Sequence, residues 1–326
     1  MKFTTTIGAA VLAIAAVGTA HADGYPSHPV TMLVPSSVGG PTDALARILA
    51  DSMAGPLGNT LVVETKGGGA SGTIGASMVA KAPADGYTIL LYNMSHATTG
   101  TFYDNLPYEP RTVFQAIGLI ADVPMVIVGR PDLPASNLQE LIAYLRSKKD
   151  GAAVGHAGPG TASQLCSMLL QQAAGVPITS VAYKGAGPAM VDLMAGHIDL
   201  VCDQTTTTLG PVTAKRVKAF AVTSKNRVAK LPDLPTASEA GLPGFEMVVW
   251  HGLYAPKGTP EPVVAKLEKS LQTALEDPKL RERLAELGAQ PVSRDRATPE
   301  ALQKHLEAEI DRWAPIIRKS NEAAQR

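Results

Sequence analysis

The stretch "VTMLVPSSVGGPTDALARILADSM" (30–53) decides how the rest of the chain is read. Val30 to Pro35 is an apolar run of the kind that forms a buried strand. It breaks at Ser36, Ser37, Gly39 and Gly40. From Pro41 the apolar period changes: Leu45, Ile48, Leu49 and Met53 recur at helical spacing, with Arg47 and Asp51 off that stripe. Pro41 suits the first helical position, where a missing N–H costs nothing. Strand, small-residue loop and helix therefore follow one another. The unbonded N–H groups of the helix's first turn and the loop before it face one spot, suited to an anion.

The same rhythm repeats along the chain. "TLVVET" (60–65) precedes "KGGGASGTIGASMVAKA", and "DGYTILLYN" (85–93) precedes "MSHATTG". "MVIVGR" (125–130) leads to a helix at about 136–149. "AAVGHAGPGTASQLCSMLLQQAAG" (152–175) runs from strand through a Gly-rich loop into helix, and 180–208 holds strand, loop, helix and strand. Strands alternating with helices predict an α/β fold with mostly parallel sheets covered on both faces. The C-terminal part reads as helical. Thr259-Pro260 and Thr298-Pro299 mark helix starts, Val263, Leu267, Leu271 and Leu275 share one face, and Leu302, Leu306, Ile310, Trp313 and Ile317 form a second stripe.

Residues 1–22 stand apart from this pattern. Lys2 supplies a basic start, Ile7 to Val17 an apolar run too short to span a bilayer, and Ala20-His21-Ala22 an A-x-A cleavage signal. The expectation is a secretory signal peptide cut before Asp23 and, in a bacterium, a periplasmic protein. The remaining 304 of 326 residues suffice for two domains. Basic and acidic residues balance at 29 each and aromatics are 5% of the chain. Such a neutral, aromatic-poor chain carries no electrostatic footprint for nucleic acid, so the expected ligand is small. Cys166 and Cys202, in an oxidising compartment, are compatible with one disulfide or with two buried thiols. Neither belongs to a C-x-x-C pair and the seven histidines are scattered, so no metal site is expected.

In open parallel sheets, ligands bind beyond the carboxyl ends of strands. Five loops at such ends share one chemistry: 36–43, 67–72, 93–98, 155–163 and 184–189. All are rich in Gly, Ser, Thr and Ala, with Lys66 and Lys184 the cations beside them. This composition suits a carboxylate held by backbone amides and hydroxyls. The enzyme readings fare worse. "GGGASG" (67–72) fits a dinucleotide fingerprint, but the next strand ends at Asn93 where an acidic residue should hold the ribose. No G-x-S-x-G elbow and no G-x-x-x-x-G-K-[ST] loop occurs.

A set of segments, in order, carries a resemblance: "VPSSVGGPTDALAR", "KAPADGYTILLYNMSHAT", "LPYEPRTVFQAIGLI", "VAYKGAGPAMVDLMAGHIDLVCDQ", "AFAVTSKNRVAKLPDLPTASEAGLPGFE" and "HGLYAPKGTP". Over about 25–320 the chain resembles the extracytoplasmic solute receptors of the tripartite tricarboxylate transporter system, the Bug family. The resemblance implies a two-domain periplasmic-binding-protein fold (type II-like, Venus flytrap), with mixed, mostly parallel sheets flanked by helices. Domain I would comprise 23–124 and 249–326 and domain II 125–248, with crossing strands near 119–128 and 246–254. It implies a monomeric, non-enzymatic receptor without a cofactor, partnered by the large and small subunits of a membrane permease. "CDQTTTT" and "WHGLYAPKGTP" resemble the branch associated with aspartate and similar dicarboxylates.

Carried over by that resemblance, the first ligand loop falls on Ser36, Val38, Gly39, Gly40, Pro41, Thr42 and Asp43. Further loops add Ser71, Gly72, Asn93, Ser95 and His96, then Gly158, Gly160, Thr161, Ser163, Lys184, Gly185 and Asp203. Asp43 reads first as a carboxylate complementing its helix dipole. Lys184 reads as a loop anchor or a charge for the ligand. Asp203 reads as a partner for a ligand ammonium or as an Asx-turn residue before the threonines, and Trp250 as a wall of the cleft or a packing residue of a crossing strand. Where many relatives carry a bulky residue, this chain has Pro35-Ser36-Ser37. The smaller wall leaves an aromatic dicarboxylate such as terephthalate beside the aliphatic ones, and a role beside a sensor kinase is a third reading.

Overall fold

The computed structural model describes residues 24–67, 70–103, 105–148, 151–175 and 178–324. The leader expected at 1–22 lies outside them. The opening stretch forms β1 (Val30–Val34) and α1 (Pro41–Leu57). Then follow β2 (Leu61–Thr65), a single 3-10 turn (Ala70–Gly72), α2 (Thr73–Ala80), β3 (Thr88–Asn93) and α3 (Ser95–Phe102). β4 (Phe114–Gly129) is long enough to serve two sheet halves. Beyond it come α4 (Leu138–Ser147), β5 (Ala152–His156), α5 (Ala162–Ala174), β6 (Ile178–Ala182), α6 (Ala186–Met194), β7 (Leu200–Gln204), α7 (Thr205–Thr213) and β8 (Lys218–Val222). The chain returns through β9 (Val248–Pro256) to α8 (Glu261–Glu276), α9 (Pro278–Glu286), the two-residue β10 (Gln290–Pro291) and α10 (Pro299–Ala324).

The sheet order is β2-β1-β3-β9-β4-β7-β5-β6, with β8 and β10 also paired to β4. β1 pairs in parallel with β2 and β3, and β5 with β6 and β7. Every pairing of β4 and β9 is antiparallel. The expected mostly parallel sheet is thus parallel at its two flanks and antiparallel through its middle. The cause is that β4 leaves the first half and β9 comes back beside it, register running from Phe114↔Pro256 to Pro124↔Val248. On the far side of Pro124, β4 pairs β7 and β8 from Met125 onward.

The inner parallel strands β1 and β3 are mostly apolar and buried because helices cover both faces, whereas the outer β2 and β6 are more polar and half-exposed. Val30, Met32, Val34, Ile89, Leu90 and Leu91 are buried, as are Leu45, Leu49 and Met53 on the inner face of α1. The C-terminal stripe of Leu302, Leu306, Trp313 and Ile317 packs into the same core. Glu309 on α10 accepts the indole N–H of both Trp250 (3.2 Å) and Trp313 (3.0 Å), which satisfies two donors in a buried place. Trp250 is therefore a packing residue of the returning strand. Thr298 caps α10 by accepting from Ala301 N, whereas the Thr259 hydroxyl donates backwards to Pro256 O, so α8 begins uncapped. Cys166 and Cys202 form a disulfide that ties α5 to β7. No helix of the described residues is long and apolar enough to cross a membrane.

Candidate functional site

Each parallel flank ends its strands toward one place, and the loops there meet across a cleft of about 640 Å³. The β1 side contributes Pro35, Ser36, Ser37, Pro41, Thr42, Gly67, Ser71, Gly72, Tyr92, Asn93 and Ser95. The β5 side contributes Ala157, Gly158, Pro159, Thr161, Ala162, Ser163, Tyr183 to Ala186, Asp203 and Gln204. Strand order explains the convergence: β1, β3, β5 and β7 all finish at the line where β4 and β9 pass between the halves.

Helix starts supply the donors. The N-cap residues of α1, α2, α5, α6 and α7 are Gly40, Gly72, Thr161, Gly185 and Gln204, and none makes a side-chain capping bond. Of the helices that begin elsewhere, α4, α9 and α10 are capped by Asn137, Asp277 and Thr298, and α8 is uncapped. A side-chain cap is generally worth about 1 kcal/mol. Leaving it out at the cleft keeps first-turn N–H groups open to an incoming carboxylate. Thr161 shows the same preference locally: its hydroxyl donates back to Gly158 O at 2.6 Å rather than accepting from its own helix. α3 is partly closed, since Asn93 Oδ1 accepts from Ser95 N.

Acceptors come from the end of β7. Asp203 and Gln204 are both 3% exposed. Asp203 Oδ1 accepts from Gln204 N at 2.8 Å, while Asp203 Oδ2 and Gln204 Oε1 have no hydrogen-bond partner. Burial pushes the Asp203 carboxyl up to about 7, against the backbone N–H of Gln204, which pulls the other way. Unpaired buried acceptors are costly and mark a place for a donor. Lys184 is exposed at the mouth and, among the described residues, has no ion-pair partner.

Behind the β1 wall, Asn93 Nδ2 donates to Thr42 Oγ1 at 3.2 Å, and Thr42 Oγ1 lies 3.4 Å from His251 Nε2. His251 sits on β9 with its pKa lowered to about 4 by burial, so it is neutral and fixes Thr42 without adding charge. His96 is fully buried, with its pKa pushed down to about 3 by desolvation, stacked on Tyr92 with ring centroids 5.1 Å apart. Tyr92 reaches the cleft and donates from its hydroxyl to Ser71 O at 2.6 Å.

Of the residues carried over in sequence, thirteen line the cleft: Ser36, Pro41, Thr42, Ser71, Gly72, Asn93, Ser95, Gly158, Thr161, Ser163, Lys184, Gly185 and Asp203. Six do not. Val38 is 75% exposed and stands outside the cleft, and Gly39 and Gly40 form the turn behind it. Asp43 is buried, accepting from Gly39 N and paired with Arg47, so it shapes the loop. His96 lies behind Tyr92, and Gly160 packs against Ser71 at the lip. Sequence reasoning missed Ser37, Gly67, Ala157, Pro159, Ala162 and Ala186, which lie on loops already singled out, and Pro35, Tyr92, Tyr183 and Gln204, which sit at strand ends outside those loops. It also missed His251, whose signal was its place in the "WHGLYAPKGTP" segment.

Two walls of uncapped helix starts thus meet around a buried acceptor pair, the layout of a solute receptor. The chain belongs to the family whose model is described as the tripartite tricarboxylate transporter family receptor, which matches residues 45–322. That is a family of solute-binding receptors, not of enzymes. The fold is similar to the periplasmic binding protein BugD (50% identity, TM-score 0.86, 91% of this chain and 99% of that one). It is also similar to MatC of Rhodopseudomonas palustris, solved with bound malate (37% identity, TM-score 0.84, 90% and 100% coverage). R. palustris Rpa4515, solved with adipate, is 34% identical with a TM-score of 0.86 over 91% of this chain and 98% of that one.

Proposed function

We propose that this receptor captures a small dicarboxylate bearing an amino group, aspartate-like in size, by closing its two halves, and delivers it to the membrane permease of a tripartite tricarboxylate system. The observation that carries the reading is the pairing of open amides on both walls with the unpartnered oxygens of Asp203 and Gln204. The amides suit carboxylates and the acceptors suit an ammonium. Malate in MatC and adipate in Rpa4515 support the dicarboxylate part. The halves that move are 23–124 with 249–326 and 125–248, hinged where β4 and β9 cross, and the ligand shifts an equilibrium toward the closed form. The mature protein begins at Asp23, acts in the periplasm and works as a monomer.

A second reading is favoured by one feature: the Pro35-Ser36-Ser37 wall and the cleft volume leave room for an aromatic dicarboxylate such as terephthalate. A thermal-shift screen of aspartate, glutamate, succinate, malate, citrate, nicotinate and terephthalate separates the two. A ligand at about 100 times its Kd stabilises by roughly 2.7 kcal/mol. The expected result is a shift with aspartate larger than with succinate. Terephthalate alone shifting the transition establishes the second reading, and no shift with any acid removes both.

A further inference from the structure

Among the described residues, three hydrogen bonds cross the lip of the cleft, and all have the same polarity. Ser71 Oγ donates to Pro159 O at 2.9 Å, Thr98 Oγ1 to Gly160 O at 3.3 Å while shared with Ser95 O at 3.0 Å, and Tyr103 OH to Pro159 O at 3.4 Å. Hydroxyls of the β1 side thus meet the carbonyls of one turn between β5 and α5. Ser71 differs from the other two donors in its backbone. Its φ of 58° and ψ of 18° place it in the left-handed region, which a residue with a side chain seldom adopts. Glycine would take that conformation more readily, but glycine has no hydroxyl.

The strain is held from two directions. Tyr92 OH donates to Ser71 O at 2.6 Å, and Tyr92 is 2% exposed and stacked on buried His96. The next residue, Gly72, has a φ of 83° and lies so close to Pro35 that a Cβ there would collide with the Pro35 carbonyl. On the opposite side, a Cβ on Gly160 would run into Ser71 Oγ itself. The turn facing Ser71 is therefore stripped of side chain where the hydroxyl arrives. Strained residues persist where their surroundings over-determine them, and here the surroundings aim one hydroxyl across the cleft.

We infer that Ser71 is a latch: a positioning residue that holds the closed lip against Pro159 and sets how long any ligand is retained, without selecting among ligands. This rests on the receptor reading above, and it moves Ser71 from the ligand contacts to the closing machinery. Its bond joins protein to protein, so its loss acts equally on every ligand and appears in dissociation.

Stopped-flow binding of L-aspartate, succinate and adipate to the wild-type chain and to Ser71→Ala is the first arm of the test. The expected result is the same loss for every acid that binds, about 3- to 10-fold, carried by a faster koff. Ser71→Gly, which suits the backbone, shows the same loss and stands in if Ser71→Ala folds poorly. A loss confined to one acid makes Ser71 a ligand contact and overturns the latch, as does no loss at all. The second arm needs no ligand: spin-label distances between the two sheet halves are compared in ligand-free wild type and Ser71→Ala. A shift of the variant toward longer distances supports the latch, and identical distributions overturn it. Failure of the wild type to bind any acid removes the receptor reading, while the distance arm still decides the latch.

Discussion

The two walls of the cleft use different chemistry for one task. On the β1 side, donors dominate: the first turns of α1 and α2 are uncapped, and Thr42 is fixed from behind by Asn93 and neutral His251. On the β5 side the first turns of α5 and α6 are open as well, but Asp203 and Gln204 add buried acceptors and Lys184 a cation at the mouth. The supports differ too. The β1 wall rests on packed aromatic rings around His96, the β5 wall on a covalent bond, since Cys166 is one helical turn beyond Ser163 and Cys202 adjoins Asp203. On the function proposed above, amides on both sides hold a carboxylate, which is common to many solutes, and the wall with acceptors reads what else the ligand carries.

Removing the covalent support is the largest way to break this asymmetry. Cys166→Ser with Cys202→Ser opens a 36-residue separation, which chain entropy sets at about 3–4 kcal/mol of stability. Urea unfolding checks it, and the expected loss comes with weaker binding of every acid because Ser163 and Asp203 lose their relative position. Next in size, Asp203→Asn weakens an amino dicarboxylate by about 10- to 100-fold and succinate by less than about 3-fold, read by calorimetry. Equal losses would reduce Asp203 to architecture.

The pH dependence sharpens the same contrast. Pairing with an ammonium requires ionised Asp203, and its carboxyl is raised to about 7 by burial. Aspartate affinity therefore falls about tenfold from pH 8 to pH 6, while succinate affinity changes little over that range. Stability of the ligand-free protein moves the other way. With the folded pKa above the unfolded one, the native state holds the extra proton, and the Asp203 contribution is lost as pH rises from about 4 to about 7. His251 and His96 oppose this: their lowered values make acid favour the unfolded chain below about 6.5. Asp203→Asn removes the first trend and leaves the second, which thermal unfolding across pH 4–8 reads directly.

The smallest expected effect is at Asp43. Asp43→Asn loses the ion pair with half-exposed Arg47 and weakens the bond from Gly39 N, costing about 1 kcal/mol of stability and less than about 2-fold in affinity.

Much of this was legible in the sequence because strand, glycine loop and helix have distinct periods. The strand–loop–helix units lie where the patterns put them, and loops at the ends of parallel strands must converge in such a sheet. What sequence could not give was direction within a loop. Val38 and Thr42 sit four residues apart in one motif, yet one points to solvent and the other is buried under Asn93 and His251. Pairing across the middle of the sheet was hidden from local composition, and the crossing strands near 119–128 and 246–254 came from the family resemblance. β9 lies far along the chain from β4, and its antiparallel return follows from topology rather than from local composition. Tyr92 was passed over because an aromatic at a strand end reads as core, yet it lines the cleft and bonds Ser71 O.

The central claim is that amides of both walls grip carboxylates while Asp203 takes a ligand ammonium. A crystal structure with L-aspartate tests it most directly. The account predicts one carboxylate against the first turn of α1, the other against α5 or α6, and the amino group within hydrogen-bond reach of Asp203 Oδ2. An amino group turned to solvent, or carboxylates gripped by Lys184 alone with the helix starts unused, would contradict it.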